Sequence, residues 1–193
     1  MVEETIVFID EGFLDKLTKY FGKNKRLRFD KVKFAKLLAN KQGMFCKKLF
    51  YYTCPPFQSE RPTIDEARRK KGYDKFISSL LKNKLVELRE GRCQRLKINE
   101  NYEYHQKGVD TLLALDLGNV KNNFPNIQKV ILVSSDSDFC PIINYVRGLD
   151  VEVILYTYFD RKRKSKFSLS NELISCCSSF LRLTKEDFER CIL

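Results

Sequence analysis

Apolar residues gather along this chain in short runs that stop abruptly at acids. Thr5 to Ile9 (TIVFI) ends in Asp10, followed by Glu11 and Gly12. Val130 to Val133 ends in Ser134, Ser135, Asp136, Ser137 and Asp138. A nearly continuous run of this length predicts a strand buried on both faces, as parallel strands are. The period then changes. Phe13, Leu14, Leu17, Tyr20 and Phe21 follow helical spacing, and so do Ile142, Ile143, Val146 and Leu149 behind Pro141, which is tolerated in a first turn. Gly148 and Asp150 stop the second helix, and Val151 to Tyr156 is again β-branched and aromatic, so the unit is a parallel strand, helix, strand crossover.

The rest of the chain follows the same reading. Asp30 is placed to cap a helix with Val32, Phe34, Leu37 and Leu38 inward, and Lys48 to Thr53 predicts a strand broken by Cys54, Pro55 and Pro56. Thr63 caps a long helix beginning at Ile64, Leu85 to Leu88 predicts a strand, and Arg89 to Arg95 predicts a turn and basic loop. Gln106 to Val109 leads into a helix from Asp110 through Leu117. Asp116 shares its apolar stripe with Val109, Leu112, Leu113 and Val120. An unpaired carboxylate there would cost roughly several kcal/mol, so Asp116 requires a donor or cation beside it. Ser168 to Leu183 predicts a terminal helix packed through Leu169, Leu173, Ile174, Cys177 and Leu181, and Thr184 with Glu186 and Asp187 starts a short final one. No repeat, low-complexity stretch or linker interrupts the 193 residues, which fits one α/β domain over 1–193.

Charge narrows the choice of partner. The net charge of +11, from 36 Lys and Arg against 25 Asp and Glu, favours a polyanion such as nucleic acid or an acidic membrane surface, and serves plain solubility equally well. The cations cluster at Arg68, Arg69, Lys70 and Lys71 and again at Arg161, Lys162, Arg163, Lys164 and Lys166. Four consecutive cations cover every side of a helical turn, so part of the first cluster must face solvent. The second is expected in the loop after the last core strand. Tyr51, Tyr52 and Phe57 are of a type that stacks on bases, although strand alternation turns Tyr51 or Tyr52 into the core. Seven cysteines without a CxxC pair, together with a lone His105, argue against zinc. Their odd number fits reduced thiols and a cytoplasmic location, and no apolar segment is long enough to span a membrane.

Ligands of open α/β sheets bind beyond the carboxyl ends of the strands, which is where Asp10, Asp110, Asp136 and Asp138 are expected. Singly, Asp110 and Asp138 also fit as helix N-caps; Asp10 is harder to explain that way, and Asp136 is too, since Asp138 already serves as cap. Four carboxylates at one sheet edge repel one another unless a cation lies among them. Oxygen-only ligands without Cys or His suit Mg²⁺ or Mn²⁺, which activate water for attack on phosphorus.

Four segments carry a resemblance: VFIDEGFL, KGVDTLLALDL, ILVSSDSDF and the late LSNEL. In that order they resemble the NYN domains of the PIN-like ribonuclease superfamily, in its LabA-like branch, from Ile6 to about Leu183. The resemblance implies a three-layer α/β/α sandwich around a mostly parallel sheet and a metal-dependent endoribonuclease. Asp10, Asp110, Asp136 and Asp138 would ligate Mg²⁺ or Mn²⁺ and orient the attacking water, with Asp116 and Ser134 supporting them. Lys107 of KGVD would face the substrate phosphate, and Arg68, Arg69 and Arg161 to Lys164 would contact RNA, with DNA left open. Phe13 stands where the family often has Asn, and Ser135 where it often has Gly. The first change keeps a second reading in view: a nucleic-acid-binding or regulatory protein with weakened or lost catalysis, working with a protein partner or a second copy of itself.

Overall fold

The structure, a computed structural model, describes residues 2–160, 167–168 and 170–193. Its elements in chain order are β1 (Glu4–Asp10), α1 (Glu11–Phe21), α2 (Lys31–Asn40), β2 (Phe45–Thr53), α3 (Ile64–Leu80), β3 (Val86–Glu90), β4 (Arg92–Ile98) and β5 (Asn101–Lys107). Then follow α4 (Val109–Gly118), α5 (Val120–Asn123), β6 (Lys129–Val133), a 3-10 turn (Ser137–Phe139), α6 (Cys140–Arg147), β7 (Glu152–Thr157), α7 (Asn171–Cys176), β8 (Ser179–Arg182) and α8 (Lys185–Glu189).

The main sheet has six strands in the order β3-β2-β1-β6-β7-β8, and every neighbouring pair is parallel. Strand alternation divides the core in two. Val7, Ile9, Leu49, Tyr51, Ile131 and Val133 face one apolar layer with α1, α2 and α8. Ile6, Phe8, Tyr52, Val130 and Leu132 face the other, with α4, α6 and α7. The result is an α/β/α sandwich. Burying each such side chain contributes about 1.5–3 kcal/mol, which is why the central strands read as unbroken apolar runs. Tyr51 and Tyr52 both lie in the core. Among the described residues no helix is long and apolar enough to cross a membrane.

The chain winds outward from β1 through β2 to β3, then returns to the middle and winds the other way from β6. The switch point therefore lies between β1 and β6, and there the helices leave opposite faces and open a crevice at the carboxyl ends.

Three expectations need correction. Arg89 to Arg95 is no loop: Arg89 and Glu90 finish β3, and Arg92 begins an antiparallel hairpin, β4–β5, that pairs only with itself. The terminal helix over Ser168 to Leu183 is instead the short α7 followed by β8, an edge strand parallel to β7. Ladder hydrogen bonds to β7 outweigh the helical spacing of Leu173, Cys177 and Leu181, because residues 179–182 have little apolar face to bury in a helix. The third concerns the caps, described next. Arg161, Lys162, Arg163, Lys164, Lys166 and Leu169 fall outside the described residues.

Candidate active site

Asp10 is the last residue of β1 and the N-cap of α1. One carboxylate oxygen accepts the Phe13 N–H at 3.2 Å, and the other accepts the Ser134 hydroxyl at 3.0 Å. Ser134, fully buried just past β6, uses the same oxygen to accept the Asp136 N–H at 3.2 Å. A single hydroxyl thus joins the ends of the two central strands. Asp136 in turn caps the 3-10 turn, accepting the Asp138 N–H at 2.9 Å.

This reverses the expected capping roles. Asp10 and Asp136, the acids least expected to cap, are the caps. Asp138 lies inside the turn, and Asp110 lies in the first turn of α4, whose N-cap is Gly108. Gly108 has φ +81°, a left-handed conformation that costs a side chain with a Cβ about 1 kcal/mol or more. That turn lets β5 run straight into α4 and brings Asp110 towards the crevice. Among the described residues the carboxylates of Asp110 and Asp138 accept no hydrogen bond, and both residues are exposed. Two acids are thus fixed and two are free to turn.

Asp110 stands close enough to the other acids to feel their charge. Burial pushes the Asp10 carboxyl up from 3.8 to about 6, against the lowering influence of its two hydrogen bonds, and the Asp110 charge adds to the rise. Asp110 is also raised, first by loss of solvent and then by repulsion from Asp136 and Asp138, while Lys16 pulls it down. Among the described residues none of the four forms an ion pair.

As the side chains stand, no group of three or more His, Cys, Asp or Glu among the described residues is gathered closely enough to hold a metal ion. The donor set itself suits a hard cation: oxygen only, mutually repelling, and with the two unheld carboxylates placed to turn inward.

Around these acids, Asp116 meets its requirement for partners. Arg89 Nε lies 2.7 Å from it, and the Tyr52 hydroxyl donates to it at 3.0 Å. Asp116 is therefore neutralised by the chain itself. Phe13 is 4% exposed and sends its ring into the core, so it serves the site only through its N–H. Arg68 is exposed and paired with Asp65 at 2.8 Å, whereas Arg69 lies against the hairpin, 6.0 Å from the ring of Tyr104. Lys107 is exposed at the end of β5. Gln106, not expected from the sequence, belongs to the crevice. A methyl group placed on Gly12 would meet Asp10 Oδ1 at 3.1 Å and Gln106 Oε1 at 3.2 Å, so both side chains crowd this glycine.

Comparison with known proteins agrees with this architecture. A crystal structure of a protein of unknown function from Vibrio parahaemolyticus RIMD 2210633 superposes with a TM-score of 0.58 at 16% identity, covering 97% of this chain and 96% of that one. At that identity the likeness shows the fold alone. No curated protein matches. The sequence model of the NYN domain matches residues 5–184, a span containing the whole switch-point crevice. This chain belongs to the NYN domain family, within the PIN-like nuclease superfamily.

Proposed function

We propose that this protein is a metal-dependent endoribonuclease whose site is the crevice between β1 and β6. One observation carries the reading: a chain with net charge +11 brings Asp10, Asp110, Asp136 and Asp138 into mutual repulsion and leaves all four without an ion pair among the described residues. Asp10 and Asp136, fixed by their caps, would hold Mg²⁺ or Mn²⁺ together with the turning carboxylates of Asp110 and Asp138. Bound there, the ion would supply an activated water and neutralise charge on the leaving oxygen. Ser134 has a positioning role, because its hydroxyl orients Asp10 and its oxygen fixes the Asp136 backbone. Lys16 moderates the repulsion on Asp110. Exposed Lys107 is available to phosphates, Arg68 would exchange its exposed pair with Asp65 for one, and the choice of RNA over DNA rests on the resemblance.

The test is cleavage of single-stranded RNA and DNA by the purified protein in Mn²⁺. Asp136→Asn should abolish cleavage without lowering the melting temperature; cleavage equal to the unaltered protein overturns the reading.

A second reading is favoured by the position of Phe13, whose ring contributes nothing to the crevice. A binding protein without catalysis would retain salt-sensitive RNA affinity in EDTA and cleave nothing under any divalent ion.

A further inference from the structure

The β4–β5 hairpin is the one antiparallel element among the described strands, and it takes no part in the main sheet. In its register Arg95 lies opposite Tyr104, Lys97 opposite Tyr102 and Cys93 opposite Gln106. Because strand side chains alternate, these six residues share one face. The hairpin's acids are kept off it: Glu100 is in the turn, and Glu103 lies on the other face beside His105, at 3.2 Å.

On the shared face cations and rings interleave. The Arg95 guanidinium is 4.4 Å from the ring centre of Tyr102 and 4.6 Å from that of Phe57, which comes from the loop before α3. Phe57 packs 5.8 Å from Tyr104, and the Arg69 guanidinium of α3 lies 6.0 Å from the same ring. The rings are nonetheless open to solvent, with Tyr102 54% and Tyr104 47% exposed. A soluble protein rarely leaves neighbouring aromatic rings this bare without a use for them. Their row has a direction. From Tyr102 to Tyr104 to Gln106 each step is two residues of strand, roughly 6.6 Å. The last member, Gln106, is the one beside Asp10.

We propose that this hairpin face is a platform for single-stranded nucleic acid, with bases stacked on Tyr102 and Tyr104 and phosphates held by Arg95, Lys97 and Arg69. A strand laid along it is led past Gln106 to the carboxylates. The proposal deepens the nuclease reading and rests on it for the chemistry, but binding by the platform requires no metal. Stacking rings accept any base, and a duplex hides its bases, so the platform selects single strands and tolerates sequence.

The experiment measures fluorescence anisotropy of labelled 12-nucleotide single-stranded RNA, single-stranded DNA and duplex with the full chain in EDTA. The double variant Tyr102→Ala/Tyr104→Ala should weaken single-strand binding by about tenfold or more for each ring removed. Tyr102→Phe/Tyr104→Phe, which keeps the rings, should bind like the unaltered protein, and so should Glu103→Ala on the opposite face. Duplex should bind more weakly and respond little to the alanine pair. Unchanged affinity in the alanine variant, or equal loss in the phenylalanine variant, overturns the platform. If RNA is still cleaved in Mn²⁺ in that case, the nuclease reading survives. An unaltered protein that neither binds nor cleaves nucleic acid overturns both. The RNA and DNA arms decide which strand the platform prefers.

Discussion

Asp10, half-buried, and Asp187, buried, are both acids at the start of a helix, and the chain treats them in opposite ways. Asp187, 2% exposed, accepts the Thr184 N–H at 2.8 Å and its hydroxyl at 3.0 Å, and is ion-paired with Lys41. Asp116 is likewise answered by Arg89. Among the described residues Asp10 receives uncharged donors, chiefly Phe13 N–H and Ser134, and Asp110 adds repulsion. Cations are not scarce in a chain with 36 Lys and Arg, yet among the described residues none forms an ion pair with the four acids of the crevice. Where an acid serves the architecture, the protein neutralises it internally. Where four acids lie close without an ion pair among the described residues, the proposed cation would supply the neutralising charge.

The contrast can be broken in three ways. The largest expected effect is on cleavage. Asp110→Asn should reduce it by about a hundredfold or more, since even groups that only orient metal ligands are worth 10–100-fold, while the melting temperature holds. Full activity in this variant would erase the distinction between the two kinds of acid. Next, Lys41→Met leaves Asp187 buried and unpaired, and urea denaturation should show a loss of about 3 kcal/mol with cleavage intact. A change below roughly 0.5 kcal/mol, the ordinary range for surface substitutions, would mean that Asp187 does not depend on Lys41.

The smallest effect has an unusual sign. The Asp10 carboxyl ionises near 3.8 in the unfolded chain and near 6 in the folded one. The folded protein therefore holds the proton more tightly, and stability falls as pH rises between those values and stays lower above them. Asp10→Asn cannot ionise. In EDTA at pH 7.5 it should be more stable by about 2 kcal/mol, the full shift of about 3 less about 1 for a lost hydrogen bond. The gain should fade towards pH 4. Thermal melts across this range decide it, and a variant that is less stable at pH 7.5 would place Asp10 with the architectural acids.

The central strands were legible because a strand buried on both faces has to be written in apolar residues, as Ile6 to Ile9 and Val130 to Val133 are. The demand for a partner at Asp116 was legible for the same reason, since helical spacing put the carboxylate on a buried stripe. The hairpin was not. Every residue of β5 is exposed, so no apolar alternation marks it. Its turn places Asn99 and Glu100 at φ 44° and 67°, as a primed two-residue turn requires, but glutamate seldom signals such a turn. Gln106 stayed hidden with the strand that carries it. The capping roles were misjudged because spacing identifies an acid near a helix start without saying which oxygen points back at the backbone. Arg161 to Lys164 fall outside the described residues, so their part in binding rests on charge alone.

The bond from Ser134 to Asp10 spans 124 residues of chain. Strand pairings of such long range form late, after much chain entropy has been lost. A fragment ending before β6 therefore keeps the Phe13 cap on Asp10 but lacks Ser134, Asp136 and Asp138 together. Closure of β6 beside β1 is thus what completes the crevice, and a truncated product lacks half of the carboxylates on which the proposed cleavage depends.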